Sequence, residues 1–143
     1  MMRFIAESLL LWGLALALGL LTALLHPNAP QLHKPVDPLA ISGDSVKTFE
    51  GKYLLLDARE RSAYEAGHLQ GAILLNETEW SDLLGVFLLE YYEPATTYIV
   101  YCGGGGCHAS KSVAERLREE LPGTEVFYLE GGIDALEGWA SNE

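Results

Sequence analysis

Two thiols five positions apart, Cys102 and Cys107, enclose four consecutive glycines, Gly103, Gly104, Gly105 and Gly106, and His108 follows directly. These are the only cysteines in the 143 residues, so all of the chain's thiol chemistry sits in one short segment. A glycine run lets the backbone turn several N–H groups toward one point, an anion-binding nest, and a helix starting just beyond adds its positive end. Such surroundings favour thiolate over thiol and lower a cysteine pKa. The same N–H groups would hold the terminal sulfur of a persulfide or the oxygens of thiosulfate. A plainer reading fits the same letters: two small buried residues flanking a flexible loop.

Other chemistries fit less well. A phosphate-cradling loop would end in Gly-Lys-Ser/Thr, whereas Gly106 is followed by Cys107 and His108, so nucleotide binding is not expected. The four histidines, His26, His33, His68 and His108, are dispersed, and no C-x2-C or H-E-x-x-H spacing occurs, so no metal site is expected. Two cysteines this close are not the framework of a disulfide-stapled mini-protein. The formal charge of −11 should repel nucleic acid and anionic lipid surfaces.

The elements that must position the thiols can be read from the apolar runs. Tyr98–Tyr101 reads as a strand running straight into Cys102, and Ala109–Leu121 as the helix after the loop. Tyr53–Leu56, ending in Asp57, with Ala72–Leu75 and Glu125–Leu129, supplies further short strands of the kind buried on both faces. Between them, Ser42–Ser45 resembles a helix start, Arg59–Ala66 a short helix closed by Gly67, and Glu77–Glu90 a helix with an apolar stripe. A short terminal helix follows Gly131 and Gly132. Strands alternating with helices predict a parallel α/β sheet covered on both faces. In such sheets sites form at the carboxyl ends of the strands, where Cys102 falls.

Ahead of this domain, Ser8–Leu25 is 18 residues without a charge, nearly enough helix to span the ~30 Å hydrocarbon layer. The competing readings are a cleaved signal peptide and a buried core helix. Arg3 precedes the run, but no clear small-x-small cleavage site follows Leu25, which favours an uncleaved anchor. The nearest basic residue after it is Lys34, so the sparse charges favour an inside amino terminus and a soluble domain on the non-cytoplasmic, periplasmic or extracellular side. Four prolines between Pro27 and Pro38 predict an extended tether. The expected organisation is a transmembrane anchor over 1–26, a proline-rich linker over 27–38 and one α/β domain over 39–143.

The domain's motifs resemble those of the rhodanese family. Asp57-Ala58-Arg59, then Gly67-His68-Leu69-Gln70-Gly71-Ala72, is similar to the family's D-x-R and G-H-[IL]-x-G-A blocks. Tyr101-Cys102 with Ala114-Glu115-Arg116-Leu117 resembles its active-site strand, loop and helix, and Tyr128 to Ile133 with Trp139 its closing segment. The three blocks occur in order over roughly Leu39–Trp139. The resemblance implies a three-layer α/β/α fold with a five-stranded parallel sheet, and Cys102 as the residue loaded with sulfur. It assigns Asp57, Arg59 and His68 to structural support and Trp139 to packing, and leaves Trp80 without a role. In common members the loop reads C-x4-R with serine next; here Cys107 stands five after Cys102, and no arginine follows until Arg116. Aligned through the helix, Ser110 takes the place of the family serine, while His108 and Lys111 are left to supply positive charge.

The leading expectation is sulfur transfer without a cofactor. Cys102 would carry sulfane sulfur from a small sulfur-containing anion, or from a protein or low-molecular-weight thiol persulfide, to a nucleophilic acceptor. Gly103 to Gly106, Cys107, His108, Ser110 and Lys111 would form the binding site, with Cys107 as a resolving thiol. The alternatives are a Cys102/Cys107 thiol–disulfide redox protein, an oxyanion site on the longer loop, and a membrane-bound binding or sensing module without turnover.

Overall fold

The computed structural model describes residues 8, 12–21, 37–104, 108–136 and 141–142. The chain divides into two units, Met1–Pro35 and Val36–Glu143. In the first, residues 12–21 form helix α1, whose Trp12, Leu14, Leu16, Leu18, Leu20 and Leu21 are all exposed. Ten helical residues rise only about 15 Å. Among the described residues no helix is long and apolar enough to cross a membrane, and most of the remaining 8–25 stretch lies outside them.

In the second unit the elements follow in the order β1 (Ala40–Ile41), α2 (Gly43–Lys47), β2 (Tyr53–Asp57), α3 (Arg61–Ala66), β3 (His68–Leu69) and β4 (Ile73–Leu74). They continue with α4 (Trp80–Glu90), β5 (Thr97–Tyr101), α5 (His108–Glu120), β6 (Val126–Leu129), a 3-10 turn (Gly132–Leu136) and β7 (Ser141–Asn142). Five strands form one parallel sheet in the order β1-β6-β5-β2-β4, and β3 pairs with β7 in a separate antiparallel ladder. The register pairs Asp57 with Tyr101 across β2 and β5, and Asp57 with Leu74 across β2 and β4.

Alternation along each strand builds two cores. On one face Leu56, Tyr98, Val100 and Val126 pack with Trp80 and Phe87 of α4 and with Val113, Ala114 and Leu117 of α5. On the other, Leu55, Ile99, Tyr101 and Leu129 pack with Val46 of α2, with Leu69 and Ala72, and with Leu136 of the 3-10 turn. This is why the strands read as continuous apolar runs: with both faces covered, neither side of the pleat reaches water. Trp80, without a role in the sequence, is a core residue, 4% exposed, with the Arg116 guanidinium 4.5 Å from its ring centre. Trp139 lies outside the described residues.

Two element boundaries are set by side-chain hydrogen bonds. Ser42 caps α2, its Oγ accepting from the Ser45 N–H at 3.2 Å. Helix α4 begins at Trp80 rather than Glu77, because Asn76 Oδ1 takes the Glu79 N–H at 2.9 Å and holds the preceding residues in a turn.

Candidate functional site

Strands β2 and β5 lie side by side, and the segments leaving their carboxyl ends are built in opposite ways. Asp57, the last residue of β2, is fully buried and accepts from five directions. Arg59 gives it two contacts from Nε at 3.0 and 3.1 Å, one from the terminal guanidinium nitrogen at 2.7 Å and its own backbone N–H at 3.0 Å. The Tyr101 hydroxyl donates the fifth, at 2.7 Å, while accepting the Leu69 N–H at 3.2 Å. The guanidinium also donates to the Gly67 carbonyl at 2.7 Å, tying in the turn after α3. Burial, then the hydrogen bond to Asp57, pushes the Tyr101 phenol well above its ordinary range, so it stays a donor. The Asp57 hydrogen bond likewise raises the Arg59 pKa.

His68 belongs to this frame: Nδ1 lies 3.0 Å from the Tyr64 carbonyl and the ring stacks on Tyr64 at 3.9 Å, while the Tyr64 hydroxyl donates to the Ala72 carbonyl. Asp57, Arg59 and His68 therefore brace β2, β5 and the turn between α3 and β4.

Cys102 follows β5 directly and is 1% exposed. Its sulfur accepts from the Ser110 hydroxyl at 3.4 Å, a buried contact from the first turn of α5. Cys102 is disulfide-bonded. The chain's other cysteine, Cys107, lies with Gly105 and Gly106 outside the described residues. Of the remaining loop residues Gly103 is exposed and rests 3.7 Å, at its would-be Cβ, from the Arg59 Cδ. His108 is exposed at the first position of α5. Lys111 turns away to Asp37, which it meets at 2.6 Å and which also accepts from the Tyr128 hydroxyl at 3.0 Å. Of the residues expected to bind substrate, Ser110 reaches the sulfur and Lys111 is already committed to a carboxylate.

One neighbour of the loop was not foreseen from the sequence. The 3-10 turn folds back over it, with the Ile133 N–H donating to the Cys102 carbonyl at 2.7 Å. Gly132, at φ +62°, is packed so tightly that a Cβ there would lie 2.5 Å from the Gly104 nitrogen and 2.6 Å from the Cys102 oxygen. The turn brings Asp134 beside Gly104, whose would-be Cβ lies 2.3 Å from Asp134 Oδ2. Gly131-Gly132 is the only sequence signal of this return, and it marks a turn without saying what the turn packs against.

The match to a family model decides what this architecture is. The model of the rhodanese-like domain covers residues 45–138, well over half the chain. The chain belongs to the rhodanese-like family. Similar solved structures include the BH2092 protein of Bacillus halodurans (25% identity, TM-score 0.49, covering 65% of this chain and 63% of that one). A rhodanese-related protein of Thermoplasma volcanium is 23% identical at a TM-score of 0.53, over 72% of this chain and 96% of its own. A thiosulfate sulfurtransferase of Pseudomonas aeruginosa is 21% identical at a TM-score of 0.56, over 81% of this chain. This chain spans only 21% of that enzyme's length. The likeness to the latter two speaks to the rhodanese-like fold, a five-stranded parallel sheet between helical layers, and the family includes sulfurtransferases.

Proposed function

We propose that this rhodanese-like protein is a membrane-tethered sulfurtransferase in which Cys102, once reduced, carries sulfane sulfur as a persulfide. The observation that carries the reading is the placement of the Cys102 sulfur: at the carboxyl end of the central strand β5, beneath the first turn of α5, with the Ser110 hydroxyl donating to it at 3.4 Å. A hydroxyl donor and the positive end of a helix both favour thiolate over thiol. The thiolate attacks the outer sulfur of a donor, the new S–S bond forms, and the donor leaves with the electron pair: sulfite from thiosulfate, or a thiolate from an alkyl persulfide. An acceptor thiolate then removes the outer sulfur and restores Cys102.

The disulfide at Cys102 adds a second step and also supports a second reading. A disulfide-bonded Cys102 is no nucleophile, so a thiol reductant must first supply two electrons. With Cys107 as resolving thiol, its thiolate would attack the inner sulfur of the Cys102 persulfide, form the Cys102–Cys107 disulfide and expel hydrosulfide, two thiols being oxidised as the sulfane sulfur is reduced. A thiol–disulfide redox protein would use the same pair without sulfur. Intact mass of the reduced full-length protein after thiosulfate or an alkyl persulfide separates them. A reductant-sensitive gain of one sulfur atom, in the natural sequence or in Cys107→Ser, supports the carrier; loss of two hydrogens in the natural sequence with no sulfur gain in Cys107→Ser supports the redox pair; and no change from either donor in either protein overturns both.

The tether belongs to the same proposal. Residues 8–25 carry no charge, and the described helix α1 within them exposes all six of its large apolar side chains, an arrangement suited to lipid. Continued over 8–25 it would reach about 27 Å. With Arg3 before it, the domain would face the non-cytoplasmic side. Labelling by a membrane-impermeant thiol reagent on intact, reduced cells is the expected result; protection until lysis would reverse the orientation.

A further inference from the structure

Charge at the mouth of the site narrows the sulfur donor. Three basic side chains, two on the segment after β2 and one in the first turn of α5, each face a carboxylate: Arg59 is bound to buried Asp57, Arg61 to Glu79 at 2.6 Å, and Lys111 to Asp37 at 2.6 Å with Glu115 at 3.9 Å, while further along α5 Arg116 lies over the Trp80 ring. The loop itself contains no arginine or lysine. Onto this neutralised rim the 3-10 turn adds an exposed carboxylate, Asp134, whose Oδ2 sits against Gly104. The backbone of the turn that carries it is held against the loop: Gly132 is pressed onto the backbone of Cys102 and Gly104, and the Ile133 N–H is bonded to the Cys102 carbonyl. The whole chain carries −11, so the longer-range field has the same sign.

We infer that Asp134 makes this site select sulfur donors whose leaving group is cationic or uncharged, and discriminate against dianions such as thiosulfate. The inference rests on the sulfur-transfer reading and specifies its substrate class. A dianion approaching Cys102 meets that negative charge, while Arg59, Arg61 and Lys111 are each already paired with a carboxylate; an ammonium-bearing persulfide gains from the same charge. Transfer from the latter is balanced: the Cys102 thiolate takes the terminal sulfur, its S–S bond replaces the donor's, and the aminoalkyl thiolate departs.

The test measures the field at the thiol separately from turnover. In the reduced full-length Cys107→Ser protein, at low salt and pH 8, Cys102 is reacted with trimethylammonioethyl and with sulfonatoethyl methanethiosulfonate. Each reagent leaves a mixed disulfide and releases methanesulfinate. The ratio of the two rates, divided by that for a free small thiol, should exceed about fivefold and fall toward one in high salt. Asp134→Asn should lower it about two- to threefold. In the same Cys107→Ser background, the sulfur gain from 2-aminoethyl persulfide should then outpace that from thiosulfate, and Asp134→Asn should narrow the gap. A normalised ratio of one or below, or a ratio that Asp134→Asn leaves unchanged, overturns the inference. A high ratio with no sulfur gain from any donor overturns the sulfur-transfer reading and the donor class together.

Discussion

The segments leaving β2 and β5 start one strand apart and paired in register, Asp57 opposite Tyr101, yet they use their polar groups differently. After β2 the Asp57 and Arg59 side chains are spent on the frame: the Asp57 carboxylate takes five hydrogen bonds, and the Arg59 guanidinium divides itself between that carboxylate and the Gly67 carbonyl. After β5 come a buried sulfur and glycines, which offer backbone N–H groups and no competing side chains. A brace that satisfies its own charges beside a thiol followed by residues without polar side chains fits the proposed division of labour between stability and chemistry. It also explains why the conspicuous Asp-x-Arg motif is expected to support the fold rather than carry the chemistry.

The largest expected effect breaks the comparison on its chemical side. Cys102→Ser should abolish sulfur loading completely while circular dichroism and thermal melting stay close to those of the reduced wild type, since serine is smaller and Ser110 remains beside it. Equal sulfur gain in that variant, located by peptide mapping, would move the chemistry to Cys107.

On the structural side the largest effect should come from Asp57→Ala. Removing the buried carboxylate leaves the Arg59 guanidinium, only 17% exposed, and the Tyr101 hydroxyl without their acceptor, which costs about 3 kcal/mol or more. Denaturant unfolding of the domain should show that loss as a lower midpoint at unchanged slope. If Asp57→Ala instead leaves stability within about 0.5 kcal/mol and removes sulfur loading, the Asp-x-Arg segment is part of the site and the division fails.

A pair of glycine substitutions sharpens the contrast at smaller scale. Gly132→Ala places a Cβ against backbone atoms of Gly104 and Cys102 at a positive φ, so the 3-10 turn must lift off the loop. Gly123→Ala has a positive φ, +89°, but open space around it. We expect about 2–3 kcal/mol of destabilisation and slowed sulfur loading for the first, and about 1 kcal/mol with normal loading for the second. Equal losses in the two variants would mean that backbone strain alone, and no contact with the loop, accounts for the effect.

How far the sequence revealed this depends on sequence separation. The buried strands, α5 and the position of Cys102 at a strand end were legible because local periodicity and turn chemistry encode them. Strand β1 was not, since two residues, Ala40 and Ile41, carry no period. The ladder of β3 and β7 was missed for the same reason. The contacts that define the site's charge join distant positions, such as Tyr101 to Asp57 and Asp134 to Gly104, and no local rule pairs them. Lys111 shows the cost: next to the loop in sequence it read as a substrate cation, and its actual partner, Asp37, lies 74 positions away.

That ion pair gives the smallest expected effect. Asp37 is held below the ordinary aspartate value of 3.8, first by the Lys111 hydrogen bond and then by the Leu39 N–H, while Lys111 is raised above 10.5 by the same partner. A lowered carboxyl pKa contributes stability that is present above the unfolded-state value and lost as pH falls through the folded one; the raised lysine contributes below its unfolded value and loses it as pH rises through the folded one. The pair therefore helps between roughly pH 4 and pH 10, and weakens at both ends. Because Lys111 is exposed to solvent, salt should screen much of this. Carbon-13 NMR titration of the Asp37 carboxyl should give a midpoint below 3.8 that moves upward in Lys111→Met. If Lys111 were free to serve the loop, that substitution would leave the Asp37 midpoint where it was and slow sulfur loading; with the lysine held by Asp37, the midpoint shifts and loading is unaffected.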